Sequence, residues 1–206
     1  MKKIAAALLL TPLALACSAC QQAPATPPGQ SATSSATVGS AASQTLTAAE
    51  VGAIYQDLAM KGMDIDNDFA GYTEPAGTSV TVNGATYYPF PKYASLEALR
   101  AAVETVFTPS YAEQIFSGPA IQGGPDYPAT FIYYNGALYK CDGGGWGGEG
   151  SADLSTIRIT SQTADAITFH ADVPNEVGEI YSADFRLVNV DGSWRLDCPV
   201  SGNRSA

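Results

Sequence analysis

Basic residues are scarce in this 206-residue chain: 10 Lys and Arg stand against 20 Asp and Glu, and there is one histidine. A protein with so little positive charge has nothing to displace counterions from a phosphate backbone, so nucleic-acid binding is excluded as a function class. It would also be repelled by anionic lipid, so any membrane attachment must come from something other than surface charge. One histidine cannot build a histidine-rich zinc site without thiols or carboxylates from far away. A Ser-His-Asp hydrolase would have to use His170, and there is no G-x-S-x-G elbow to present the serine. Alternation in "AITFHADV" sets His170 on a strand, where a lone histidine is read as structural. Charge is missing altogether from residues 18–45, which are built from Ala, Ser, Thr, Pro, Gln and Gly with Val38 and Cys20. Such a composition cannot bury a core and is expected to be a disordered tether, with a mean span on the order of 30 Å.

Long apolar runs are equally rare. One occurs, at residues 4–16 of "MKKIAAALLLTPLALAC", after two lysines and before a cysteine. This is the pattern of an export signal, too short for a stable membrane span. Small residues before Cys17 and Cys20 resemble the lipobox of bacterial lipoproteins, in which the cysteine becomes the lipidated first residue. Cys17 is the expected site because the apolar run ends against it, although Ala14 stands where leucine is usual. Loss of Lys2 and Lys3 would leave 8 basic residues against 20 acidic ones, a net charge near −12. The expected organisation is a signal peptide with its lipidation cysteine (1–17), a linker (18–45), one globular domain (46–200) and a short tail (201–206). The protein is expected to be extracytoplasmic and held at the cell membrane by lipid.

Within the domain, Thr47 and Glu50 read as a capping box opening a helix through Val51, Ile54, Tyr55 and Leu58, ending near Gly62. Asn83-Gly84, Asn135-Gly136 and Asp191-Gly192 are hairpin turn signals between alternating runs. A second helix begins at Ser95 with Leu96, Leu99, Val103, Val106 and Phe107 on one stripe. Thr108-Pro109 then caps a short third helix through Tyr111, Ile115 and Phe116. From "TFIYY" onward the chain reads as strands, with Tyr181, Ala183, Phe185 and Leu187 on one face and Trp194, Leu196 and Cys198 on another. Helices first and strands after predict an α+β fold, N-terminal helices packed on a curved antiparallel sheet, similar to cystatin-like or NTF2-like architecture.

The chemistry-bearing features are few. "DGGGWGGEG" holds a formal G-x-G-x-x-G at Gly143, Gly145 and Gly148, but it leads into a strand and lies between Asp142 and Glu149, so it is not a phosphate cradle. It reads either as a plain connector or as a recognition loop. "DIDNDF" sets Asp64, Asp66 and Asp68 on alternate positions like the start of a calcium loop. Phe69 stands where glycine is needed and Pro75 where glutamate is needed, which leaves a solvated acidic turn or a weak calcium contact. Cys141 and Cys198 are the two cysteines of the domain, 57 positions apart. In an exported protein the even pair predicts a disulfide worth roughly 4 kcal/mol, with two free thiols or a catalytic Cys141 beside His170 as the alternatives. No cofactor and no resident metal are expected.

Three segments taken together suggest a family. "YYPFPKYASLEALRAAVETVFTPSYAEQIF" (87–116), "FIYYNGALYKCDGGGWGG" (131–148) and "FRLVNVDGSWRLD" (185–197) occur in this order. The order resembles that of the IseA-type DL-endopeptidase inhibitors of Gram-positive bacteria and their lipoprotein relatives. The resemblance covers residues 87–197 and implies an exported, non-enzymatic inhibitor of the NlpC-type cysteine peptidases that cut cell-wall stem peptides. An acidic, aromatic loop could occupy a cleft made for such carboxylate-bearing peptides without offering a scissile bond. The expected contact residues are Asp142, Trp146 and Glu149, set among Gly144, Gly145 and Gly147. Two other classes remain open. One is a small-ligand-binding lipoprotein of NTF2-like architecture, using Tyr133, Tyr139, Phe185 and Trp194. The other is an enzyme built on Asp and Glu pairs.

Overall fold

The computed structural model describes residues 45–70, 77–124, 127–142, 150–175 and 177–205. Helix α1 (Ala48–Ala70) starts as expected: the Thr47 backbone N–H and hydroxyl both donate to Glu50 Oε2 at 2.8 Å, and the Glu50 N–H donates to Thr47 Oγ1 at 3.3 Å. It does not stop at Gly62 but runs eight residues further. Gly62 is buried where the helix crosses the C-terminal segment, and a Cβ there would stand 2.5 Å from Val200 Cγ2. The glycine permits a close crossing of two chain segments and is not a terminator. Asp64, Asp66 and Asp68 are therefore helical, not a turn.

Strands β1 (Val80–Val82) and β2 (Ala85–Pro89) form the first hairpin, and β3 (Phe131–Tyr134) and β4 (Ala137–Cys141) the second. Between them lie α2 (Leu96–Glu104), α3 (Pro109–Ser117) and the short α4 (Pro119–Gln122), the last of which was not anticipated. Ser95 Oγ accepts from the Ala98 N–H, capping α2 where the helix was expected to begin, and Thr108 Oγ1 accepts from the Tyr111 N–H as the predicted cap of α3. After a single helical turn at Leu154–Thr156 come β5 (Arg158–Gln162), β6 (Ala166–Pro174), β7 (Ile180–Val190), β8 (Ser193–Leu196) and β9 (Asn203–Arg204). All three predicted turns carry positive φ at both central residues, 48–51° at Asn83, Asn135 and Asp191 and 82–84° at the following glycines. That geometry matches the twist of tight hairpins.

The fold is α+β, with antiparallel strands curled into a half-barrel. The strands pair in two sheets, β1-β2-β4-β3 and β5-β6-β7-β8, with β9 also on β7. Residues 201–204, expected as a tail, thus belong to the fold. The core of the larger sheet comes from strict alternation: Ile167, Phe169, Ala171 and Val173 face the same way as Ala183, Phe185 and Leu187, all essentially unexposed. Phe169 and Phe185 are cross-strand partners stacked at 4.9 Å, and the Tyr55 ring meets both edge-on. The Tyr55 hydroxyl donates to the Val200 carbonyl at 2.6 Å and accepts from the Ala152 N–H at 2.9 Å. The far end of α1 reaches the smaller sheet, where Phe69 meets Phe131 edge-on at 5.1 Å. One helix thereby spans both sheets. The junction of α2 and α3 covers the β8 edge through Thr108 N–H to Leu196 O and Leu196 N–H to Val106 O, both 2.8 Å.

Candidate functional site

Of the predicted contact residues, Trp146, Glu149, Gly144, Gly145 and Gly147 lie outside the described residues, as does the lipidation cysteine Cys17. The two ends of that glycine segment are described. Asp142 is exposed at the end of β4, and its N–H donates to Thr86 O at 2.8 Å. Gly150 lies against the end of β6, and a Cβ on it would stand 2.1 Å from the Pro174 carbonyl oxygen. Only glycine allows that approach. Residues 143–149 therefore connect the smaller sheet to the larger one. The β3–β4 hairpin, whose second strand ends at Asp142, carries three tyrosines: Tyr133 and Tyr134, near the turn, are 55% and 38% exposed, and the Tyr134 and Tyr139 rings meet edge-to-face at 5.8 Å. Ile132 and Tyr139 are register partners on the same outer face.

The expected disulfide is corrected: Cys141 and Cys198 are both free thiols. Cys141 ends β4 of the smaller sheet, opposite Tyr87, whereas Cys198 follows β8 of the larger sheet and is 1% exposed. Cys198 Sγ accepts from the Arg186 N–H at 3.5 Å, and burial pushes its thiol up to about 11. Burial and the neighbouring Asp142 raise Cys141 as well. Neither thiol has the lowered pKa of a nucleophile. His170 pairs across β6 and β7 with Asp184, Nδ1 to Oδ1 at 3.1 Å, and Ser205 Oγ lies 3.3 Å from the other oxygen of that carboxylate. The carboxylate sits between serine and imidazole, which is not the order that activates a hydroxyl.

Of the four aspartates of α1, three lie in its last two turns, Asp64 and Asp68 on one side and Asp66 on another. Asp68, 3% exposed, is held by Lys92 Nζ at 2.7 Å and by the Tyr93 hydroxyl at 2.8 Å. Lys92 also meets the exposed Asp64 at 2.8 Å. Burial works against the Lys92 ammonium, but its bonds to Asp64 and Asp68 raise it above the ordinary lysine range. Lys140, 6% exposed, lies near the same group, with its ammonium 5.5 Å from the centre of the Phe90 ring. Burial lowers the Lys140 pKa, Asp68 partly offsets this, and Lys92 adds to it. Burial, followed by Asp68, pushes Tyr93 up to about 12. Among the described residues, no group of three acidic, thiol or imidazole side chains is arranged to hold a metal ion.

Asp66 faces the opposite way, into a cleft of about 520 Å³. Ile65, Asp66 and Phe69 of α1 form one wall, Tyr111, Gln114 and Ile115 of α3 another, and Pro199–Gly202 a third, with Phe107 at the base. Asp66 is the charged residue of the lining; no hydrogen bond or ion pair engages it among the described residues. Burial alone lifts its carboxyl from 3.8 to about 6. Burial also raises Tyr111, reinforced by Cys198 and Asp66. The volume falls in the range of small-molecule sites. Sequence reasoning missed this cleft: Tyr133, Tyr139, Phe185 and Trp194, the residues expected around a ligand, do not line it. The signal was present. Counting on from Tyr55 past Gly62 sets Asp66 beside the buried stripe of the same helix.

No protein-family model matches this chain, and no curated protein matches it. No helix among the described residues is long and apolar enough to cross a membrane.

Proposed function

We propose that this chain is an exported, lipid-anchored, non-enzymatic inhibitor of peptidoglycan DL-endopeptidases of the NlpC type. It would be lipidated at Cys17 and contact its target through Asp142, Trp146 and Glu149. What supports this reading, beside the ordered resemblance over residues 87–197, is the tyrosine hairpin. Tyr133 and Tyr134 are exposed and Tyr139 is half-buried, all on the hairpin whose second strand ends at Asp142. Exposed tyrosines at the turn end of a hairpin have the composition of a protein-binding patch, where aromatic anchors supply area, and Asp142 at the far end of β4 would add charge. An acidic body would also speed encounter with a basic cleft.

The test is inhibition of a purified NlpC-type endopeptidase acting on a stem-peptide substrate. Trp146→Ala is expected to weaken inhibition roughly 30-fold, about 2 kcal/mol, with the melting temperature unchanged. Tyr134→Ala is expected to weaken it less. Full inhibition by a stably folded variant lacking Trp146 and the charges of Asp142 and Glu149 would remove this surface from the mechanism. A chain that inhibits no such peptidase would overturn the reading itself.

The cleft at Asp66 favours a second reading, a small-ligand-binding lipoprotein without catalytic activity. That reading needs no protein target, and the two differ in which residues matter: the β3–β4 hairpin for one, the α1–α3 cleft for the other.

A further inference from the structure

Asp66 and Asp68 are separated by one residue, yet their chemistry is opposite. Asp68 is saturated by an ammonium and a phenol. Asp66 is half-buried in the cleft and has neither. A carboxylate removed from water without a partner is costly, and its proton affinity rises in response. The walls around it are chiefly carbon: Ile65, Phe69, Phe107, Ile115, Pro119 and Val200. The polar atoms that remain belong to Tyr111, Gln114 and Ser201.

This lining discriminates among ligand classes. An anion would meet the one charge in the cleft with the wrong sign. A divalent cation needs several oxygen ligands, and one carboxylate does not supply them. A wholly apolar molecule would fill the cleft but leave Asp66 still more deprived of water. A cation on an apolar body satisfies both features at once, and the chain's net charge of −10 draws it in. We propose that the cleft between α1, α3 and residues 199–202 binds a small amphiphilic amine, with its apolar part against Ile65, Ile115 and Val200 and its ammonium on Asp66. The inference rests on the small-ligand reading above and narrows it to one chemical class.

Three probes of one chain length separate the possibilities: hexylamine, hexanol and hexanoate, each titrated into the full chain at pH 8 and followed by amide chemical shifts. Hexylamine is expected to bind most tightly and hexanoate most weakly, with the shifts confined to residues such as Tyr111, Ile115 and Ser201. Asp66→Asn should weaken hexylamine roughly tenfold, the worth of one charge-assisted hydrogen bond, and leave hexanol unchanged. Ala120→Phe, which fills the cleft from the α4 side, should abolish both, while circular dichroism reports the fold intact. Equal binding of all three probes in the cleft would overturn the amine assignment and spare the ligand-binding reading. No binding by any probe, or shifts elsewhere on the molecule, would overturn both.

Discussion

The two ends of helix α1 show what one element can be asked to do. Over its first three turns, Val51, Tyr55 and Leu58 are sealed against the larger sheet, and the one polar atom there, the Tyr55 hydroxyl, has a donor and an acceptor. Over its last two turns the same helix carries three carboxylates, one exposed, one tied to Lys92 and Tyr93, and one facing the cleft. The first end is stable because everything is satisfied. At the second end Asp66 is left without a partner, as the proposed binding site requires: a group that gains one only when a ligand arrives.

The sharpest way to break this comparison is at the sealed end. Tyr55→Ala removes two aromatic contacts and two buried hydrogen bonds, and is expected to cost about 4 kcal/mol in denaturant unfolding. A loss under about 1 kcal/mol would mean that this end is no more tightly held than the other. Next in size is Asp68→Asn. It removes the negative charge that offsets Lys92 and the nearby buried Lys140, and should cost about 2–3 kcal/mol at neutral pH. Smallest, and opposite in sign, is Asp66→Asn. The unfolded chain releases this proton near 3.8 and the folded one near 6. Between those values the native state holds the proton more tightly, so the stability contributed by Asp66 is full below about pH 4 and lost as pH rises through 6. Because Asp66 keeps part of its surface in solvent, only part of that difference is expressed, and the variant should be about 1–2 kcal/mol more stable than the parent above pH 6 and indistinguishable from it near pH 4. Parallel stability curves across that pH range would show that Asp66 is not deprived of solvent.

What the sequence made legible was local. The Thr47–Glu50 box, the caps at Ser95 and Thr108 and the three turns at Asn83, Asn135 and Asp191 are each decided by a few neighbouring residues, and each is found where expected. The alternation in β6 and β7 was equally plain. What failed depended on distant partners. Gly62 reads as a helix terminator unless Val200 is known to cross beside it. Cys141 and Cys198 read as a pair because number and compartment say nothing about which sheet each belongs to. The pairing of β2 with β4, Tyr87 opposite Cys141, joins strands separated by three helices, so the division into two sheets was hidden. The cleft shares this difficulty: its walls come from α1, α3 and residues 199–202, which no short window of sequence brings together. Of the predicted loop, Asp142 and Gly150 are described, at its two ends.

The Tyr55 hydroxyl finds its acceptor at Val200, 145 positions along the chain. A chain made from its N-terminus has α1 early, and could form much of the β1–β4 sheet, while the residue that completes the helix's central contact has yet to be synthesised. The final strand, Asn203–Arg204 on β7, arrives later still. Closure of the larger sheet around α1 thus waits for residues 200–204. A process that must handle the chain while it is still extended can act until residues 200–204 have been made.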